Sequence, residues 1–215
     1  MASGRLGASV SSGTSTTNVY TVPVNTTAEV NVNVYNGAVS GAVAKVTLFR
    51  SPTGTASATH TIQLDTIASN SGYERTALVL GAGEVISYKT DKTGVSVVVN
   101  GVEYVSNSNE IKQQELITTN TETVIYSNAG AKAGTVNISV SMADGSALSD
   151  TATCTLYISP TNAAGGYPIH RYTITGSGIT GFEKTALPIS TTDKVILVTT
   201  GIVGQVATTV SGYSK

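Results

Sequence analysis

Alternation of apolar and polar positions is the most persistent pattern along this chain. Between residues 29 and 35, Val30, Val32 and Val34 alternate with Asn31 and Asn33, the period of two expected of a strand that buries one face. Val19-Tyr20-Thr21-Val22 alternates up to Pro23, which ends a strand or places it at a sheet edge. The stretch 43–49 sets Val46 and Leu48 against Lys45, Thr47 and Phe49 and closes on Ser51-Pro52-Thr53-Gly54. Further strands are predicted at 60–64, 74–80, 85–90 and 95–99, with Asn36-Gly37 as a turn. No window of useful length supports an amphipathic helix; Gln113-Gln114-Glu115 is helix-tolerant but short. Residues 1–18 are small and polar and read either as a flexible arm or as a first edge strand. Periodicity does not decide between the two.

The same order then returns. Glu74-Arg75-Thr76-Ala77-Leu78 recurs as Glu183-Lys184-Thr185-Ala186-Leu187, 109 positions on. Ser51-Pro52-Thr53 recurs as Ser159-Pro160-Thr161, and Val30-Asn31-Val32-Asn33-Val34 as Val136-Asn137-Ile138-Ser139-Val140. Three landmarks in one order mean a tandem duplication, predicted as residues 1–106, with an arm at 1–16, and residues 107–215. The polar link Ser106-Asn107-Ser108-Asn109 is the expected seam, and so short a link predicts a fairly fixed orientation. About seven strands per unit predict an all-β chain of two tandem antiparallel β-sandwiches, immunoglobulin-like or jelly-roll-like. Each unit has the usual size of a domain.

Composition fits that class. Hydrophobic residues make up 40% of the chain and charged residues only 12%, about half the usual charged share. Twelve basic and thirteen acidic residues leave a net charge of −1, without the basic stripe that nucleic-acid binding needs. With no Trp and ten Tyr, the cores are expected to be Val, Ile, Leu and Ala with tyrosines as the large members. One cysteine, Cys154, excludes an internal disulfide and is expected to be buried and inert. No apolar run of signal-peptide length starts the sequence, and none approaches a membrane span. A soluble product made in a cytoplasm, with no membrane partner, is expected.

Candidate chemistry is sparse. His60 and His170 lie at comparable places in the two units, but no His-x-His or Glu-x-x-His spacing accompanies them, and they read as half-exposed strand or turn residues. No serine sits in a nucleophile elbow. Paired carboxylates would have to come from Asp65, Glu74, Glu84, Asp91 or Glu103, yet the repeated acid, Glu74 with its twin Glu183, suits an exposed strand start. Gly81-Ala82-Gly83 lacks the following helix that phosphate binding requires and reads as a hairpin connection. Tyr73, Tyr167 and Tyr172 are the candidates for a carbohydrate platform, with packing or interface roles the weightier reading. Asn25-Thr26-Thr27 and Asn137-Ile138-Ser139 match the glycosylation pattern only incidentally. No catalytic residue, metal or cofactor is expected.

The stretches 17–23, 28–34, Glu74-Arg75-Thr76-Ala77-Leu78-Val79-Leu80-Gly81-Ala82-Gly83-Glu84 and Val95 to Glu103 resemble a small β-sandwich module of virion structural proteins of tailed bacteriophages. Phages of aquatic hosts, cyanobacteria among them, carry this module. The resemblance covers residues ~5–104 well and the second unit more loosely, since Pro188 and Ser190 to Asp193 replace the Ala-Gly-Glu pattern. It implies a non-enzymatic particle component, foremost a capsid decoration or cement protein, with a tail, neck or baseplate accessory protein or a host-surface or glycan-binding module as alternatives. Implied partners are the major capsid protein or tail and neck proteins, and copies of the chain itself; nucleic acid is not among them. In that setting Arg5 and Leu6 of the arm are the expected contact side chains.

Overall fold

A computed structural model of the chain describes residues 2–37, 41–105, 110–130, 132–177 and 180–214. The expected seam at 106–109 lies outside them. The alternating stretches become strands, and among the described residues each unit has eight rather than about seven. In the first unit these are β1 (Ser3–Val10), β2 (Thr17–Thr21), β3 (Thr26–Asn36), β4 (Ala44–Ser51), β5 (Thr61–Ile67), β6 (Ser71–Leu80), β7 (Val85–Thr90) and β8 (Val95–Val105). The second unit has β9 (Glu110–Ile117), β10 (Glu122–Ser127), β11 (Gly134–Met142), β12 (Thr151–Ser159), β13 (Tyr167–Thr175), β14 (Gly181–Ile189), β15 (Lys194–Val203) and β16 (Val206–Ser214).

The additional strand is the opening one of each unit. Residues 3–10 of the expected arm form β1, paired antiparallel with β8 at a sheet edge. Gln113-Gln114-Glu115 lies inside β9, which pairs with β16.

Strand order is identical in the two units. The first has sheets β1-β8-β3-β6 and β2-β7-β4-β5; the second has β14-β11-β16-β9 and β10-β15-β12-β13. Among consecutive strands only β4 and β5, and their twins β12 and β13, are neighbours in one sheet; every other connection within a unit crosses between sheets. Eight antiparallel strands nested this way form a jelly roll, which decides between the two sandwiches left open by the sequence. Gly81-Ala82-Gly83 is therefore a crossing from one sheet to the other, not a hairpin, because β6 and β7 belong to different sheets.

Val30, Val32 and Val34 on β3 fill the first core with Leu48, Ile86 and Val97. Val136, Ile138 and Val140 fill the second with Leu156, Leu197 and Val210. Close packing has twin consequences as well. A Cβ on Gly101 would stand 2.2 Å from the Glu29 carbonyl oxygen, and one on Gly212 would stand 2.1 Å from that of Thr135. The β3–β8 and β11–β16 pairings thus both need glycine there.

Alternation fails in one informative place. Ser139 and Ser141 on β11, and Thr209 and Ser211 on β16, occupy the face that a sandwich turns to solvent, yet all four are buried. The first unit covers them. Leu64 of β5 packs with the second core, and on β4 Thr47 and Phe49 are buried as well as Val46 and Leu48 on the opposite side of the alternation.

Candidate functional site

The duplicated motif first has a local job. Where β6 runs past β3 the register slips between Val30 and Val32, and where β14 runs past β11 it slips between Val136 and Ile138. There Thr76-Ala77 stand opposite the single residue Asn31, and Thr185-Ala186 opposite Asn137, a β-bulge in each unit. Ala77 and Ala186 take the left-handed conformation, with φ of 53° and 52°. Asn31 Oδ1 accepts the Ala77 N–H at 2.9 Å, and Asn137 Oδ1 accepts the Ala186 N–H at 2.7 Å. A small side chain at the bulge and an asparagine opposite explain why Thr-Ala and Val-Asn recur together.

Those two bulges also meet each other, on the contact face that forms the seam between the two units. Asn137 Nδ2 donates to the Ala77 carbonyl, so one asparagine ties its own bulge to that of the first unit. Arg75 Nη1 lies 2.9 Å from Glu183 Oε2, and Arg75 Nη2 donates to Ser139 Oγ. Ser139 Oγ donates to the Ile62 carbonyl at 2.6 Å, and Ser141 Oγ accepts the Leu64 N–H at 2.9 Å. β5 is the outer strand of its sheet, and these hydroxyls satisfy backbone groups of its exposed edge. Burial pulls the Arg75 guanidinium down and pushes the Glu183 carboxyl up, while each opposes the other's shift as ion-pair partner. At the far corner the Asp144-Gly145 turn docks on the first unit. Asp144 takes Lys89 Nζ and Thr47 Oγ1, both at 3.1 Å, and Lys45 Nζ donates to the Ser146 carbonyl at 2.9 Å. The two lysines of the adjoining crevice, about 220 Å³ in volume, are thereby engaged.

The carboxylates singled out in the sequence are dispersed and individually occupied. Glu84 forms a two-pronged pair with buried Arg50, at 3.1 and 2.9 Å, and accepts the Gly81 N–H. Glu103 accepts the Tyr20 hydroxyl at 2.9 Å. Asp91 accepts the Lys45 N–H at 2.8 Å. Asp65 accepts the Thr66 N–H and the Gln63 amide, and burial raises its pKa. Glu74 is exposed beside Asn33. Among the described residues no three His, Cys, Asp or Glu side chains cluster as a metal site would require.

The histidines are not structural twins. His60 lies in the 3-10 turn at Ala58–His60, whereas His170 sits inside β13 opposite Leu156. The position matching His170 is Gln63, opposite Leu48. A bulge in each hairpin and an unequal loop made the spacing misleading. Cys154 is buried in the second core, and burial pushes its thiol up to about 12. Among the described residues no helix is long and apolar enough to cross a membrane.

Arg5 is exposed on β1, and Leu6, the surplus residue of a register shift, packs against the first core. Tyr73 packs there too. Tyr167 is 79% exposed, and Tyr172 stacks with His170 at a centroid distance of 6.0 Å, with Phe182 4.7 Å beyond. This aromatic group lies on the β13–β14 side of the second unit. Asn137, one half of an incidental glycosylation match, is spent on the seam. Its part, with those of Ser139 and Arg75, was missed from the sequence, although the recurrence of Asn opposite Thr-Ala was the available signal.

No family model and no curated protein matches the sequence. Among solved structures the chain is similar to the STIV MCP, with 7% identity, 100% of this chain and 94% of that one covered, and a TM-score of 0.32. It is similar to the PBSX exported protein XepA at 8% identity, covering 97% and 85%, with a TM-score of 0.30. A chain of the Sulfolobus Turreted Icosahedral Virus structure gives 14% identity, covering 98% and 58%, and a TM-score of 0.31. At such identities and scores these likenesses carry no functional argument.

Proposed function

We propose that this chain is a non-enzymatic structural component of a tailed-phage virion, foremost a capsid decoration or cement protein. The observation that carries the reading is the use of the repeated ionisable motif. Arg75 and Glu183 are joined across the seam, so the most prominent charged residues hold two jelly rolls together instead of facing a substrate. The resemblance of residues 17–34, 74–84 and 95–103 to the phage module points the same way. In this reading β1 supplies the lateral contact in place of a free arm. It is an outer strand with Arg5 exposed, and unpaired strand edges invite pairing with a neighbour.

Counting copies in purified particles tests the proposal. Hundreds per particle support capsid decoration, and a dozen or fewer support the neck, tail or baseplate alternative. A chain missing from the particle overturns the proposal. Loss of particle occupancy is expected when residues 2–10 are replaced by a scrambled polar segment or when Arg5 becomes Glu.

The aromatic group of Tyr172, His170 and Phe182, with exposed Tyr167 on the same strand as His170 and Tyr172, favours one second reading, a host-surface or glycan-binding module. It predicts binding of the isolated chain to host cells or their polysaccharide, weakened in Tyr167→Ala and Tyr172→Ala. No binding to intact hosts would remove it.

A further inference from the structure

The seam is a contact between two unlike surfaces of two like units. The second unit contributes the outer face of its β14-β11-β16-β9 sheet; the first contributes its β5–β6 side. Since both units have the same strand order, each carries a copy of both surfaces. Among the described residues, the seam does not cover Asn31, Asn33 and Glu74 on the first unit's own sheet face or the second unit's own β13–β14 side.

Strand register identifies the twins. Asn137, Ser139 and Glu183 of the covered face correspond to Asn31, Asn33 and Glu74; the first three are buried or half-buried, and the latter three are exposed. On the receiving side Arg75, Ala77 and Leu64 correspond to Lys184, Ala186 and Arg171. Arg75 and Leu64 are buried, Ala77 and Lys184 are both half-buried, and Ala186 and Arg171 are exposed.

We infer that a second copy of this chain occupies these surfaces: the β1-β8-β3-β6 face of one chain docks on the β13–β14 side of the next. The ion pair and the asparagine bridge of the seam have counterparts at the two free ends. Glu74 faces Lys184 where Glu183 faces Arg75, and the Asn31 amide reaches the Ala186 carbonyl where Asn137 reaches that of Ala77. β13 is an outer strand, as β5 is before the second unit covers it, and its backbone edge receives the Asn33 side chain as β5 receives Ser139. Tyr35, standing where Ser141 stands, meets Arg171 where Leu64 would be, a pairing of ring face with guanidinium. The lysine corner is not preserved, for Thr153 and Val198 stand at the places of Lys45 and Lys89. The contact between chains is thus smaller than the seam and reversible. Being head-to-tail, it grows into a ring or a filament according to whether the rotation closes. This inference does not depend on a virion location, so its failure and the failure of the proposed function are separate results.

Sedimentation velocity of the full chain over a concentration series provides the test. The wild-type chain is expected to form progressively larger species, reduced by salt. E74K and K184E place like charges in every contact, and each is expected to weaken association roughly tenfold. An equimolar mixture of the two restores opposite charges throughout and is expected to restore assembly, as is E74K/K184E in one chain. Both positions are outside the cores, and unchanged melting of each variant confirms that the fold is intact. A wild-type chain that stays monomeric at its highest soluble concentration overturns the inference, and so does association that either single reversal leaves unchanged.

Discussion

Ala77 and Ala186 hold a backbone conformation that costs an L-residue about 1–2 kcal/mol, and both do so in bulges held by an asparagine. Ala77→Gly and Ala186→Gly are each expected to raise stability by roughly 0.5–1 kcal/mol, read as a higher melting temperature. Asn31→Ala is expected to lower it by about 1–3 kcal/mol, because the Ala77 N–H then loses its acceptor. Cys154 is held protonated by burial, its thiol pushed up to about 12, so labelling by a thiol reagent should proceed only at the rate at which the second unit opens. Asp65 sets a pH dependence of defined sign. Burial raises its folded-state pKa above the unfolded value, so its contribution to stability is fully present below the unfolded value and is lost as pH rises through the folded one. Thermal melts between about pH 4 and pH 7 should show Asp65→Asn losing that component, with the variant gaining on wild type at the neutral end.

At the scale of elements, the seam rests on a few polar side chains that finish one another's hydrogen bonds. Arg75→Ala leaves Glu183 and Ser139 facing a void at the centre of that contact, and breaking such a pair costs about 3–5 kcal/mol. The double variant Arg75→Met, Glu183→Leu is expected to be about neutral, since well-packed apolar groups replace a buried ion pair at little cost. Denaturant melts of the two variants give the comparison. The strands themselves were legible wherever one face met a core, as in Val30-Asn31-Val32-Asn33-Val34. β1 and β9 were not. β1 is Gly- and Ser-rich and lies at an edge with little apolar surface to bury, and β9 interrupts Ile111 and Ile117 with Lys112, Gln113, Gln114 and Glu115. An outer strand needs only one neighbour and can form without a marked alternation.

At the scale of the whole molecule, the repeat encodes both a fold and its docking partner. The two units meet through surfaces that each possesses in duplicate, and the outer pair carries the head-to-tail contact tested by E74K and K184E. Part of the outcome follows from local chemistry alone. Alternation specified the strands, turn residues ended them, and three recurring landmarks specified two units of one kind. The sequence also marked Glu-(Arg/Lys)-Thr-Ala-Leu as important, without the reason. Only the tertiary structure decided that the sandwich is a jelly roll, because strand order is set by which edges meet across the sheets, and neighbours in space are not neighbours along the chain. The tertiary structure also decided that Ser139, Ser141, Thr209 and Ser211 are buried. A polar alternate position looks the same in sequence whether water or a second unit covers it; a short hydroxyl satisfies either, and the choice lies in the packing of residues 77 positions apart.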